Sequence, residues 1–281
     1  MLNTRSKLHI ARLASRLLLA ARSLCGFGDT TEVNRGGLKW SLDLREGIDL
    51  AIYLGVYETA TMRLLSNRLH AGDVAVDIGA NIGALSLPLA RLVGAHGQVH
   101  AFEPTAYAYQ KLCRNLALNG DAAAQVSAQQ LMLVEDSAAA LDVALYASWP
   151  LRGSGSELHP LHRGALKSLA GAAAMSLDDY LARHAITRVN LIKLDVDGNE
   201  LRVLRGARTT LLHRRPLLVL ELAPYILDEQ PGTLEDILAL LNECGYQLFK
   251  MSDGRRLPND AQALRAWIPY GSGLNIIGEA A

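Results

Sequence analysis

The sequence has few cysteines, no surplus of charge and no long hydrophobic run, and each absence excludes a class of protein. The three cysteines, Cys25, Cys113 and Cys244, are too far apart for a metal-ligand cluster, so we predict no metal site. They are typical of the reduced cysteines of a cytoplasmic protein. The 28 basic residues are balanced by 28 acidic ones, so we predict no nucleic-acid partner.

The N-terminal segment carries charge of a single sign. The first 25 residues contain no acid, and their basic residues are Arg5, Lys7, Arg12, Arg16 and Arg22. The longest apolar run there, 17–21, is far too short to span a bilayer or to form a signal peptide. Leucines at roughly helical spacing predict an amphipathic helix within residues 1–30. It has two interpretations, a basic helix in contact with anionic lipid and a helix that covers one side of the domain.

Beyond this segment, strand-like and helix-like patterns alternate, which predicts an α/β fold with a mainly parallel sheet. Alternating residues at 38–44 predict a short hairpin. A helix is predicted over 81–93, with a kink at Pro88, and one long strand over 126–134. A further helix is predicted over 200–212.

The stretch from Val74 to Glu103 is the most informative of the chain. An apolar strand contains Asp77 near its end, a turn with Gly79 and Gly83 follows, and the strand after the next helix ends at Glu103. In nucleotide-binding sheets an acid at this position accepts the ribose hydroxyls. The dinucleotide fingerprint Gly-x-Gly-x-x-Gly is absent. The turn therefore fits a nucleoside without a pyrophosphate, and the negative charge beside it favours S-adenosylmethionine (SAM) over NAD.

A second polar segment carries a lysine and three acids. Lys193 and Asp195 share one face of a strand, and a lysine in a central strand needs an acidic partner, which is Asp77 if the two strands are neighbours. Asp195 lies at the strand tip, where ligands bind in open α/β sheets, so it is the first candidate for a catalytic base. Asp197 and Glu200 are either site residues or acids that compensate a helix dipole.

These segments resemble, in order, the motifs of the FkbM-type SAM-dependent methyltransferases. The resemblance covers roughly residues 50–225. Its motifs are Tyr57-Glu58, Asp77 to Gly83, Ala101 to Pro104, Arg114 to Gly120, Ser176 to Asp179, Ile192 to Glu200, Val203 to Ala207, and Glu221. Two positions depart from the family pattern, which usually has glutamate in place of Asp197 and a small residue in place of Asn199.

The resemblance implies a Rossmann-like, doubly wound α/β fold with a seven-stranded, mostly parallel sheet and helices on both faces. Residues 31–281 would form this single domain. It also implies transfer of a methyl group from SAM to a hydroxyl of a small molecule or glycan, such as a sugar or polyketide-type acceptor. The expected catalytic residues are Asp195 and Lys193. The expected cofactor-binding residues are Glu58, Asp77, Gly79, Ala80, Asn81, Gly83, Glu103, Pro104 and Asp136.

Two alternative functions remain open. The first is an NAD-type oxidoreductase on a Rossmann-like fold, which shares the acid at the strand end but requires the tighter glycine pattern. The second is a non-catalytic protein of the same fold that binds a partner. The Gly- and Ser-rich stretch 148–172 contains His159 and His162, which are either catalytic residues of a loop over the acceptor or solvated side chains.

Overall fold

The computed structural model describes residues 4–139, 141, 143–147, 150–151, 164–229 and 232–281. The helices are α1 Thr4–Leu24, α2 Gly47–Leu54, α3 Thr59–Leu65, α4 Ser86–Val93, α5 Ala106–Asn119, α6 Leu177–Arg183, α7 Glu200–Arg205, α8 Arg208–His213, α9 Pro224–Leu227, α10 Leu234–Glu243 and α11 Ala261–Arg265. The strands are β1 Thr30–Arg35, β2 Leu38–Asp43, β3 Val74–Ile78, β4 Gln98–Phe102, β5 Val126–Gln129, β6 Leu131–Leu133, β7 Ala144–Ala147, β8 Ala165–Ser168, β9 Ala173–Met175, β10 Leu191–Leu194, β11 Leu217–Leu222, β12 Tyr246–Lys250 and β13 Leu274–Ala280.

A seven-stranded sheet in the order β12-β13-β11-β10-β3-β4-β5 forms the centre of the molecule. Neighbouring strands from β11 to β5 are parallel, and β13 runs antiparallel to β11 and β12. The chain builds β3, β4 and β5 outwards in one direction and then returns to place β10 on the other side of β3. This reversal is the switch point at which open α/β sheets bind ligands. The predicted fold class is confirmed.

The central strands are buried on both faces because helices cover both sides of the sheet. One face contributes Val76, Phe102 and Ile192 to a core that includes Tyr180 of α6 and residues of α7 and α10. The other face packs side chains of β3, β4, β10 and β11 against α3 and α4. The rigid layers thereby hold the carboxyl ends of β3, β4 and β10 at one edge.

Three predicted elements are wrong in their bounds. The helix predicted from Asn81 begins at Ser86, so Pro88 lies in its first turn, where no hydrogen bond is lost and no kink is needed. The strand predicted over 126–134 divides, because β6 leaves the central sheet to pair with β9. The helix predicted over 200–212 divides at Gly206, where a Cβ would lie 2.1 Å from the carbonyl oxygen of Val134.

The predicted N-terminal helix and hairpin are both present. Helix α1 buries Leu19 in an apolar cluster with Leu38 and Trp40 of the hairpin β1–β2. The Ser15 hydroxyl on the same face donates to the carbonyl of Leu44 at 2.9 Å. Among the described residues, no helix combines the length and apolar character needed to cross a membrane.

Candidate cofactor and catalytic site

A cavity of about 770 Å³, counted with the solvent in its mouth, opens at the carboxyl edge of the sheet. Its polar lining comes mainly from the ends of β3, β4 and β10, and β6 contributes part of its apolar lining. The predicted site residues in its lining are Gly79, Asn81, Glu103, Pro104 and Asp195. The structure therefore brings both polar segments of the sequence to one cavity.

Gly79 allows the end of β3 to lie against the end of β10. Its φ is +77°, and a Cβ at this position would lie 1.9 Å from the backbone oxygen of Asp195. The amides of Gly79 and Ala80 both donate to the carbonyl of Phe102, at 3.0 and 2.9 Å. Only glycine combines this backbone conformation with this approach, so the turn joins three strand ends in one site.

Glu103 is 5% exposed and organises the opposite side of the cavity. Its Oε2 accepts the amide of Asn81 at 3.0 Å, and its Oε1 accepts the amide and hydroxyl of Thr105 at 2.9 and 2.5 Å. Burial raises the pKa of Glu103, against the opposing effect of these hydrogen bonds. A carboxylate has about four acceptor positions, so about one remains, on Oε2. That position can accept a hydroxyl group of a ligand.

Lys193 connects two carboxylates beside the cavity. Its Nζ lies 3.7 Å from Asp77 Oδ1 and 3.5 Å from Asp195 Oδ2, and it donates to the Gly79 carbonyl at 3.4 Å. Burial lowers the pKa of Lys193, but the attraction of Asp195 and then of Asp77 outweighs it and raises the pKa overall. The hydroxyl of Ser86 donates to Asp77 Oδ2 at 2.6 Å. The predicted pairing of Lys193 with Asp77 is thus present.

The side chain of Glu200 stabilises the turn that follows Asp195. Glu200 Oε1 accepts the amides of Val196 and Gly198 at 3.2 and 3.3 Å. Burial raises the pKa of Glu200 to about 7. Asp197 lies in the same turn at φ +49° and lines the cavity, and burial followed by repulsion from Asp195 and Glu200 raises its pKa well above the ordinary value.

The raised pKa of Glu200 predicts a pH-dependent stability. The folded protein holds the Glu200 proton up to about pH 7, whereas an unfolded glutamate releases it near the ordinary value of 4.5, so stability falls as the pH rises between these values. We expect the free energy of unfolding of the wild type to fall by up to about 3 kcal/mol relative to Glu200→Gln across this interval. Urea unfolding of both proteins at about pH 5 and pH 8 measures the difference, and parallel pH profiles would contradict it.

Other predicted residues lie outside the cavity lining. Ala80 and Gly83 pack behind the turn, and a Cβ on Gly83 would lie 2.8 Å from Leu112. Glu58 accepts the hydroxyl of Thr61 and lines a small neighbouring cleft. The exposed carboxylate of Asp136 accepts the amide of Ala138 at 2.9 Å. Asp77 is buried beneath the cavity and is not among its lining residues. His159 and His162 fall outside the described residues.

The small cleft lies on the other side of Asp195. Its lining includes Glu58, Lys193, Glu221 and Asn275, and Asp195 lines both this cleft and the large cavity. The strand register explains the arrangement, because Glu221 faces Asn275 across β11 and β13, and β10 lies on the other side of β11. Asp195 therefore lies between a group bound in the cleft and a ligand bound in the cavity.

Several lining residues were missed by the sequence analysis. The apolar triplet Leu131 to Leu133 forms much of one wall, and Tyr57, Thr105 and Asn199 also line the cavity. The position of the triplet in the sequence was the signal that could have revealed it. The triplet follows β5, and β5 is the neighbour of the strand that leads to Glu103. In the sequence β5 and β6 form one continuous apolar pattern. This pattern predicted a single strand and therefore did not show that the triplet lines the cavity.

Comparison of the sequence with known proteins finds methyltransferases. The model of the methyltransferase FkbM domain family matches residues 77–248. The chain is 33% identical to methyltransferase sdnD of Sordaria araneosa over 162 residues, which cover 49% of this chain and 61% of that protein. It is 27% identical to the 31-O-demethyl-FK506 methyltransferase FkbM of Streptomyces tacrolimicus, over 66% of this chain and 76% of that protein.

A third relative is the hexuronic acid methyltransferase AglP of Haloferax volcanii. It is 27% identical over 154 residues, which cover 55% of this chain and 58% of that protein. The chain therefore spans less than two thirds of the length of two of these three relatives. The three alignments agree with the family match in placing this chain beside enzymes named for methyl transfer.

Proposed function

The chain belongs to the FkbM methyltransferase family, and we propose that it transfers the methyl group of SAM to a hydroxyl of a sugar, glycan or polyketide-type acceptor. The observation that carries this proposal is the position of Glu103 and Asp195 on either side of Gly79 in one cavity. The names of two relatives support an oxygen acceptor and a sugar acceptor, because one is a 31-O-demethyl-FK506 methyltransferase and the other a hexuronic acid methyltransferase.

The residues of the cavity fit SAM better than NAD. The open acceptor position of Glu103 suits a ribose hydroxyl, and the apolar wall of Leu131 to Leu133 suits an adenine ring. Carboxylates at the strand ends attract a cation and repel a pyrophosphate. SAM, when bound, supplies a methyl group on a positively charged sulfur. The charge of the lining therefore argues against the oxidoreductase alternative.

Asp195 is the residue that we assign as general base. It lines both the cavity and the small cleft, so we place the acceptor hydroxyl in the cleft. As the hydroxyl oxygen accepts the methyl group, the Asp195 carboxylate takes its proton. Lys193 orients Asp195 and Asp77 without leaving its charged state, because both carboxylates stabilise the ammonium. A positioned base of this kind contributes about 10²–10⁴-fold to the rate.

Isothermal titration of the purified protein with SAM, S-adenosylhomocysteine and NAD tests the proposal. We expect micromolar affinity for the two adenosyl ligands, on the order of −8 kcal/mol, and no heat with NAD. Glu103→Gln is expected to weaken both adenosyl ligands about tenfold or more, because an amide group replaces one charged acceptor oxygen. Glu135→Gln, on an exposed glutamate near the same edge, is the matched control and should bind as the wild type does.

The outcomes separate the alternatives. Folded protein that gives no heat with SAM or S-adenosylhomocysteine would refute the enzymatic proposal. Heat with NAD alone would favour the oxidoreductase. Binding of SAM without transfer of a labelled methyl group to any hydroxyl compound of a glycoside and polyketide panel would favour the non-catalytic alternative.

A further inference from the structure

The solvent-facing side of α1 carries a stripe of large apolar side chains. Ile10, Leu13, Leu17 and Leu24 are 56%, 57%, 65% and 91% exposed. Their spacing of three, four and seven residues places them on one side of the helix, opposite the buried side that includes Leu19. Single exposed leucines are common, but an aligned row on one helix indicates a surface that binds a partner.

The charges of α1 distinguish between possible partners. The helix contains no acidic residue, and its basic residues are Arg5, Lys7, Arg12, Arg16 and Arg22. Arg16 is exposed and lies one turn from Leu13, beside the stripe. Arg16 thereby places an exposed positive charge beside the apolar stripe, although the whole chain has no net charge.

We propose that this stripe docks on a bilayer surface that contains anionic lipids, with α1 lying in the plane of the membrane. Apolar side chains on one side of such a helix enter the boundary between headgroups and acyl chains, while neighbouring cations attract the lipid phosphates. The 21 residues of α1 extend over about 32 Å, so the stripe is long enough to contact many headgroups.

The same charges disfavour a second copy of the chain as the occupant. A contact between two α1 stripes brings two sets of basic residues together, and neither helix offers an acid to pair with them. An anionic bilayer supplies the missing negative charge as well as an apolar phase. The family match begins at residue 77, so the docking surface lies outside it and the inference does not depend on the proposed activity.

Co-sedimentation of the full chain with vesicles tests this inference. We expect the protein to pellet with vesicles of phosphatidylcholine mixed with phosphatidylglycerol, much less with phosphatidylcholine alone, and less at high salt. Leu17→Glu is expected to lower the partition coefficient about tenfold or more, because it removes an inserted side chain and adds repulsion. Arg16→Glu should act in the same direction. Both side chains are exposed, so circular dichroism should show an unchanged fold.

Leu166→Glu is the matched control. Leu166 is 55% exposed on β8, so the substitution adds the same charge at a similarly exposed leucine outside α1. The control is expected to bind vesicles as the wild type does. Equal pelleting with neutral and anionic vesicles, or equal losses for Leu17→Glu and Leu166→Glu, would overturn the inference. A dimer that Leu17→Glu dissociates, without vesicle binding, would assign the stripe to a second copy instead.

Discussion

Replacing Lys193 with methionine is expected to lower the free energy of unfolding by about 3–5 kcal/mol, because it leaves a buried carboxylate without a compensating charge. Asp77 is fully buried, and within the described residues its Oδ1 has no hydrogen-bond partner and relies on the Lys193 ammonium at 3.7 Å. Methionine matches the length and shape of the lysine stem, so the charge is the main difference. Urea unfolding followed by circular dichroism measures the loss.

The double variant Lys193→Met with Asp77→Asn is the control for this prediction. Removing both charges of a buried pair costs much less than removing one, so the second substitution should restore part of the stability lost in the first. The Ser86 hydroxyl, which donates to Asp77, retains an acceptor in the asparagine oxygen. A loss below about 1 kcal/mol in Lys193→Met, or no recovery in the double variant, would show that Lys193 does not neutralise Asp77.

Asp195→Asn is expected to lower the rate of methyl transfer about 100-fold or more while leaving the affinity for SAM nearly unchanged. The amide keeps the shape of the side chain and can still accept a hydrogen bond from Lys193, 3.5 Å away, but it cannot take a proton from an acceptor hydroxyl. Transfer of a labelled methyl group to the best hydroxyl acceptor of a glycoside panel measures the rate, and titration calorimetry measures the affinity.

Asp197→Asn separates this role from a general effect of charge. Asp197 follows in the same turn and lines the cavity but not the cleft, and burial followed by repulsion from the surrounding carboxylates raises its pKa well above the ordinary value. The amide should therefore reduce the rate much less than Asp195→Asn does. The opposite order of effects would assign the base to Asp197, and equal rates in both variants and the wild type would assign it to neither.

Much of the site could be predicted from the sequence because its parts are local patterns. The turn from Asp77 to Gly83 and the acid at the end of the next strand are separated by one helix, so their arrangement follows from a single βαβ unit. The pairing of Lys193 with Asp77 depended in addition on which strands are neighbours. It could be stated only as a condition, and the register of β10 beside β3 met that condition.

The role of each acidic side chain in the site could not be predicted in the same way. A glutamate at a strand tip reads as a side chain open to a ligand, yet Glu103 already accepts three hydrogen bonds from Asn81 and Thr105. Asp195, Asp197 and Glu200 form one acidic segment in the sequence. In the structure Asp195 lines both the cavity and the cleft, whereas Glu200 lies beneath the turn and accepts a hydrogen bond from its backbone. Backbone direction within a turn decides such roles, and composition carries little information about it.

By itself, the sequence determined the strand–helix alternation, the glycine turn, the acids at the strand ends and the basic N-terminal helix, because each depends on periodicity or on spacing within one unit. The tertiary structure alone decided which strand lies beside which, that β6 leaves the sheet and lines the cavity, and which side of α1 faces solvent. These features depend on contacts between residues far apart in the chain. They are set by the packing of the whole core and by no single segment.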